Sequence, residues 1–541
     1  MPAYTRRLIL VSLSVTGGIL AGLAWTSWFT GLILLIAFIP FIILENYLFE
    51  NSERYSPYAF FNYSLPGMIV FTTITMGWVR AASTTAVITV IVGMSFLMTF
   101  IMWLAHLVRL KAGTIHGIVA FIVFWLSFEF LSLNFILLTP WINLGNGLAK
   151  DILFIQWYDM TGTSGGTLWI LVSNLFLALL LISKSRRKKI YLYIWLIVIL
   201  IPSCFSIVRY YTIHENTNPG NEVVIVQPDI DPYTEKFKLP FDEQLGKTLN
   251  MGDTSISSST KWLLTPETTV DDPVNEDDMH DNQYIIDLVN FADRHPGVNI
   301  VTGLVSYRLY PASQKPPSAS ARKIDSSGYY YDHFNSAFLI DTGGVSGIYH
   351  KSKLVAGIEI QFSAGLGKLI NLIVPYLGGT KWGYGRQDER ACFKHNVTGQ
   401  VAAPIICYES VFGNYVADYV RKGAETLFII TNDGWWKNTK GYIQHLNYAS
   451  IRAIETRRPV ARSANTGISC FVDIRGNRKH ETEWWTEAVI KESIKSETKL
   501  TPYVRYGDVI MKLSAVISVL LLSYVFIVLP FRKKNMYSGS K

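Results

Sequence analysis

Cysteine is scarce in this chain, four residues in 541. Cys204, Cys392, Cys407 and Cys470 are too few for a disulfide framework, even in an oxidising compartment. Charge is thin as well, at 17% of residues. Much of the net charge of +8 sits in short clusters beside apolar runs. No basic stripe is interleaved with aromatics, so nothing calls for a nucleic-acid partner. There is no glycine fingerprint for a dinucleotide or a phosphate, and no His, Cys, Asp or Glu set has metal-ligand spacing. Neither cofactor nor metal is expected.

What is abundant is apolar sequence, half of all residues, and it is unevenly spread. Runs long enough to cross a bilayer, about 20 residues each, fall at 8–25, 31–47, 65–79, 86–108, 115–138, 167–182, 190–210 and 509–529. The third is the weakest, because Pro66 and Gly67 interrupt its start. Arg6 and Arg7 ahead of the first run resemble a secretory leader, but further runs follow and a retained anchor is expected. Basic residues cluster at 6–7, 109–111, 184–189 and 532–534, all on one side if every run spans once. The positive-inside rule makes that side cytoplasmic. Parity then places the polar block outside the cytoplasm. The expected organisation is a multi-pass α-helical membrane domain at 1–211 with about seven helices, an extracytoplasmic α/β domain at 212–506, and a last helix with a cytoplasmic tail at 507–541. Few charges interrupt the spans; Glu129 is the main one, and is expected to face the bundle or an interface.

Within the polar block, strands are predicted at 222–227, 262–265, 298–307, 335–341, 347–350, 426–431, 459–462 and, last, 469–474, with helices near 234–250, 284–292, 411–422 and 445–457. The acidic stretch 271–281 and the Ser/Tyr-rich stretch 311–331 read as loops. Residues 354–387 alternate apolar patches with glycines, a length that usually marks a lid or binding arm; Trp382 and its neighbours would suit contact with lipid or packing onto the domain itself. Alternation of strands and helices indicates a layered α/β domain, with the number of sheets left open.

Three apolar strands end abruptly in chemistry. One delivers Cys407, Tyr408 and Glu409; another, Trp262 to Thr265, runs into Pro266 and Glu267; a third, Gly347 to His350, runs into Lys351. A small buried hydrophobe is the ordinary role of a lone cysteine. A Glu, a Lys and a Cys at the ends of separate strands are, however, the parts needed for thiol-based acyl transfer. A thiol is mostly protonated at neutral pH, so a base such as Glu267 must take its proton, and the oxyanion formed by attack needs a fixed donor such as Lys351.

The order Glu, Lys, Cys on successive strands resembles the nitrilase, or carbon-nitrogen hydrolase, superfamily. With Cys407-Tyr408-Glu409 in a domain flanked on both sides by apolar runs, the chain is similar to that superfamily's membrane-bound branch, the apolipoprotein N-acyltransferases. The likeness implies an αββα sandwich of two sheets on the periplasmic side of a bacterial inner membrane. It implies Glu267 as general base, Lys351 as oxyanion donor and Cys407 as nucleophile, with Glu359, Tyr408 and Glu409 supporting the site and the stretches 432–435 and 462–467 lining it. Lys353 is a rival for the role of Lys351, though register to Glu359 favours Lys351. Phe237 stands near a position where some relatives have Trp, and the sequence 356–358 departs from the common pattern ahead of the second carboxylate. His350 and His445 are expected to be structural or surface residues. The implied reaction moves an acyl group from a membrane phospholipid to Cys407, and then from the thioester to the α-amine of a diacylglyceryl-cysteine apolipoprotein. Two other readings compete: a membrane-tethered amidase using the same three residues, and a non-catalytic membrane scaffold or transporter.

Overall fold

A computed structural model describes residues 3–183, 187–311, 318, 320–324, 327–356, 358–360 and 383–530. The chain divides into two compact units, one of Met1–Trp78, Val87–Tyr210 and Tyr506–Lys541, the other of Val79–Ala86 and Tyr211–Arg505.

The first unit is helical. Among the described residues, seven helices are long and apolar enough to cross a membrane: Tyr4–Leu23, Gly31–Glu50, Thr84–Ala112, Thr114–Asn134, Thr163–Ile182, Lys188–Thr212 and Val509–Val528. The predicted third span is not among them. It forms a helix all the same, Ala59–Met76, which continues through Pro66. The two residues that look like an interruption mark a close helix crossing. A Cβ on Gly67 would lie 2.1 Å from Ser14 O, and one on Gly18 would lie 2.0 Å from Gly67 O. Ser14 Oγ accepts from Gly67 N at 2.9 Å and donates to Ser64 O at 3.0 Å. Small residues let two backbones approach this closely where lipid supplies no hydrophobic drive. Glu129 faces the bundle interior: its carboxylate accepts from Trp125 Nε1 at 3.1 Å, Leu144 N at 2.7 Å and Thr167 Oγ1 at 2.7 Å.

The second unit is a sandwich of two sheets. The larger is built from β1 (Asn221–Gln227), β2 (Thr260–Leu264), β3 (Val270–Asn275), β4 (Asn299–Pro311), β5 (Arg322–Ile324), β6 (Tyr329–Asp341), β7 (Gly344–His350) and β14 (Ala488–Ile494), in the order β14-β1-β2-β4-β6-β5, with β3 on β4 and β7 on β6. The smaller contains β8 (Phe393–Lys394), β9 (Val401–Ile406), β10 (Thr426–Thr431), β11 (Val460–Ala464), β12 (Cys470–Val472) and β13 (Arg478–Lys479), in the order β13-β12-β11-β10-β9-β8. β1, β2 and β4 run parallel, as do β9, β10 and β11. The continuous apolar runs of β1, β9 and β10 are what strands buried on both faces require.

Helices Phe241–Asp253 and Gln283–Arg294 seal the outer face of the larger sheet through Leu245, Leu249, Ile285, Leu288 and Phe291. Helices Gly413–Arg421 and Lys440–Thr456 belong to the smaller sheet. Between the sheets, Trp262 of β2 meets Phe428 of β10 edge to face at 5.1 Å, and Ser463 Oγ of β11 donates to Val226 O of β1 at 2.9 Å.

Two loop expectations and one about the last strand are corrected. Residues 270–275 of the acidic stretch form β3, pairing Val270 with Leu304 and Val274 with Ser306. Asp271, Asp272 and Pro273 separate the two valines and hide the strand in the sequence, and the pairing shifts register there. Part of 311–331 pairs as β5 and the start of β6. The strand at 470–472 is not the last, because β14 returns to lie antiparallel on β1. Its Lys491 and Glu492 belong to a half-covered edge strand and hide its apolar face.

Candidate active site

Cys407 follows the last residue of β9 directly and adopts φ 49°, a left-handed conformation uncommon for a residue with a side chain. The turn continues as a short 3-10 helix, Cys407–Val411. Three groups fix it. Ser410 Oγ donates to Cys407 O at 2.8 Å, His445 Nε2 lies 3.1 Å from the same oxygen, and Glu409 Oε2 accepts from Ile406 N at 2.9 Å. A strained strand-to-turn junction aims the thiol away from its own strand. All four cysteines are free.

Glu267 lies in the turn after β2. That turn passes over Gly303 of β4, where a Cβ would lie 2.5 Å from Thr268 N and 2.6 Å from both Glu267 Cα and Pro266 O, so only glycine accommodates it. Lys351 follows β7 directly, and its amide donates to Asn335 O at 2.8 Å. Its Nζ stands 2.9 Å from Glu267 Oε1 and 2.7 Å from Glu359 Oε1. Asn335 Nδ2 bridges the same two oxygens, at 2.8 and 3.2 Å, and Asn432 N donates to Glu267 Oε2 at 3.1 Å. Glu359 closes its own loop, its Oε2 accepting from Val355 N at 2.8 Å, which orders that carboxylate despite the unusual sequence before it. Lys353 points elsewhere, its Nζ over the rings of Phe412 and Tyr415 at 4.9 and 5.8 Å. The structure thus brings Glu267, Lys351, Glu359 and Cys407 together in one buried cluster.

The charges follow from this packing. Burial alone would raise the Glu267 carboxyl, but the Lys351 ammonium and hydrogen bonds from Lys351, Asn335 and Cys407 bring it below the ordinary carboxylate range. Burial alone would lower Lys351, but Glu267 and Glu359 hold it well above the ordinary lysine value. Burial, and then Glu267, push the Cys407 thiol well above its ordinary value against the pull of Lys351. The resting site therefore holds a carboxylate, an ammonium and a neutral thiol.

Glu409 is fully buried and acts as a clamp. Its Oε1 accepts from Tyr349 OH at 2.6 Å, Tyr415 OH at 2.9 Å, Ser352 N at 2.7 Å and Lys353 N at 3.3 Å. It ties the segment after Lys351 to the Cys407 turn. The Tyr408 ring lies edge to face with that of Phe412 at 5.1 Å. Phe237 is half exposed and packs 6.3 Å from Trp435.

His350 is buried, stacked on Phe334 and bonded to Glu276 Oε1 at 2.7 Å. His445 is fully buried against the Cys407 turn. Its Nδ1 lies 3.0 Å from Asp433 Oδ1, while Arg462 pairs with Asp433 Oδ2. Burial would raise Asp433, but Arg462 and His445 hold it at about 2. Cys407, Asp433 and His445 place ligand-type atoms within 4.8 Å of one another, a grouping invisible in sequence because the three lie on separate segments. Its oxygens and nitrogens are already committed: Asp433 to Thr431, His445 and Arg462, and His445 Nε2 to Ser410 and Cys407 O. Asn335 was read only as the start of a strand, and its role in joining two carboxylates has no sequence signal. The predicted arm at 354–387, Trp382 included, falls for the most part outside the described residues.

Comparison with known proteins finds two matching families, Carbon-nitrogen hydrolase over residues 294–503 and Apolipoprotein N-acyltransferase N-terminal domain over residues 17–176. The apolipoprotein N-acyltransferase of Chlorobaculum tepidum is 29% identical over 92% of this chain and 93% of its own length. That of Geobacter metallireducens is 25% identical over 77% and 75%. Among solved structures, Nit3 of Saccharomyces cerevisiae, a nitrilase-superfamily member, overlaps 51% of this chain and 91% of its own with TM-score 0.37 and 13% identity. An amidase from Nesterenkonia overlaps 52% and 94% with TM-score 0.34 and 13% identity.

Proposed function

The chain belongs to the carbon-nitrogen hydrolase superfamily as a homologue of the apolipoprotein N-acyltransferases, and from that premise we propose that it N-acylates the diacylglyceryl-cysteine of apolipoproteins from a phospholipid donor, through a thioester on Cys407. In this reading residues 1–211 and 507–541 form the membrane domain, and 212–506 form the catalytic domain on the periplasmic side of the inner membrane. The observation that carries it is the burial of Cys407 in one cluster with Glu267, which bonds the Lys351 ammonium at 2.9 Å and whose charge acts on the thiol.

The thiol is neutral at rest and Glu267 is ionised, so the proton passes to Glu267 as sulfur attacks the ester carbonyl. Two donors of the Lys351 ammonium serve Glu267 and Glu359; the third faces the oxyanion, which gains a charge-assisted bond only as it forms. Collapse of the tetrahedral intermediate breaks the ester C–O bond, and Glu267 returns its proton to the departing lysophospholipid oxygen. The lipoprotein amine then attacks the thioester, Glu267 takes one of its protons, and the expelled Cys407 sulfur recovers that proton as the amide forms. Exposure of the purified protein to acyl-labelled phospholipid, followed by lipopeptide amine or by buffer alone, tests the reading. Label should move to the amine. Discharge to water at the same rate would mark an amidase instead.

A further inference from the structure

We propose that Lys236 is a positioning residue for Glu267, holding the turn that aims this carboxylate at the thiol. This rests on the reading of Glu267 as the base. Lys236 comes from the loop between β1 and the Phe241–Asp253 helix, and it is almost wholly buried. Its Nζ donates to Thr268 O at 2.8 Å and to Thr268 Oγ1 at 2.6 Å. Thr268 is the residue after Glu267, and its φ is 49°, an outlier for a β-branched side chain. Such a conformation persists only where its surroundings over-determine it, and here they do so from two sides. On one side Gly303 docks the turn, with Thr269 N donating to Gly303 O at 2.7 Å and Gly303 N to Pro266 O at 3.1 Å. On the other side stands Lys236, whose own carbonyl accepts from Gln244 Nε2 at 2.8 Å. Lys236, Gln244, Pro266 and Glu267 line one small cavity together with Asn465.

A buried ammonium is a costly way to satisfy one threonine. Its nearest counter-charge, Asp271 Oδ2, is 3.9 Å away, so the hydrogen bonds to Thr268 are its closest contacts. The arrangement supplies two things to Glu267: a fixed backbone and a second nearby cation. The ionisable groups around Glu267 are Lys351, Glu359 and Cys407 on the substrate side, with Lys236 and Asp271 behind the turn.

The test is single-turnover acylation of Cys407 by phospholipid vesicles, measured across pH in the full-length protein for Lys236→Met, Thr268→Ala and Glu267→Gln, with thermal melting recorded for each. Misplacement of a catalytic group by about 1 Å costs on the order of 100-fold. Lys236→Met should lose about that factor in maximal rate with an unchanged half-saturating phospholipid concentration, and its acid limb should move to higher pH because Glu267 has lost a cation. Thr268→Ala, which removes one acceptor and keeps the ammonium, should lose rate without moving the acid limb. A folded Lys236→Met protein with wild-type rate and acid limb, or one altered only in half-saturation, overturns the proposal. If Glu267→Gln abolishes acylation while Lys236→Met does not affect it, the role of Lys236 alone fails. If Glu267→Gln acylates normally, the assignment of the base fails first.

Discussion

Lys351 Nζ stands 2.9 Å from Glu267 Oε1, with both side chains almost entirely withdrawn from water. A buried pair of this kind is costly to assemble and more costly to break, so its retention beside a thiol is most simply explained by chemistry. Lys351→Arg should not preserve function, because a planar guanidinium cannot occupy the point-charge position between Glu267 and Glu359. The expected loss in Cys407 acylation is on the order of 100- to 1000-fold, read by single-turnover kinetics.

With Glu267 as the proposed base, its ionisation should set the acid limit of the reaction. Its carboxyl is depressed in the folded protein, so its charge contributes stability above the unfolded value near ~4.3, and that contribution is lost as pH falls through the lower folded value. The acid limb of acylation should accordingly lie below pH ~4.3, the ordinary glutamate value. In Lys351→Met, the hydrogen bonds from Asn335 and Cys407 remain but the ammonium that most opposes burial is gone, and the limb should move upwards.

Thiol reactivity and catalysis should respond to Glu267 in opposite directions. Its negative charge raises the Cys407 thiol, so Glu267→Gln should speed alkylation of Cys407 by iodoacetamide at alkaline pH while suppressing acyl transfer. Mapping of the alkylated peptide by mass spectrometry checks the first half. An unchanged alkylation rate in that variant would mean that the carboxylate does not act on the sulfur.

Glu409 is predicted to matter more for stability than any one of its partners. Glu409→Ala leaves the buried amide of Ile406 and the phenols of Tyr349 and Tyr415 short of an acceptor, at about 1–3 kcal/mol each. Tyr415→Phe deletes one bond of several and should cost only about 1 kcal/mol. Thermal melting of the purified protein ranks the two.

Beside the Cys407 turn, the pairing of Asp433 with Arg462 predicts a specific acid response. Asp433 is held at about 2. Its contribution to stability is complete above the unfolded value near ~3.9 and disappears as pH falls through about 2. Asp433→Asn leaves the Arg462 guanidinium buried without its partner, a loss of about 3–5 kcal/mol, and should remove this component of the acid transition monitored by circular dichroism.

Much of this was legible because burial leaves a simple trace. β9 and β10 are buried on both faces and read as continuous apolar runs, and the residues that end β2, β7 and β9 differ so sharply in chemistry from their strands that Glu267, Lys351 and Cys407 stand out. The weaker elements were not legible for equally physical reasons. β3 is interrupted by Asp271, Asp272 and Pro273, and β14 carries its charges on an open face. Lys236 looks like any surface lysine until the fold closes over it, and Asn335 and His445 contribute through geometry alone, with no motif spacing to announce them.

The most direct measurement is mass spectrometry of the peptide bearing Cys407 after the protein meets phospholipid vesicles. The account predicts an acyl mass on that cysteine, released by a lipopeptide amine as the N-acyl product, and no such mass in Cys407→Ser. N-acyl lipopeptide produced at an undiminished rate by Cys407→Ser would contradict it.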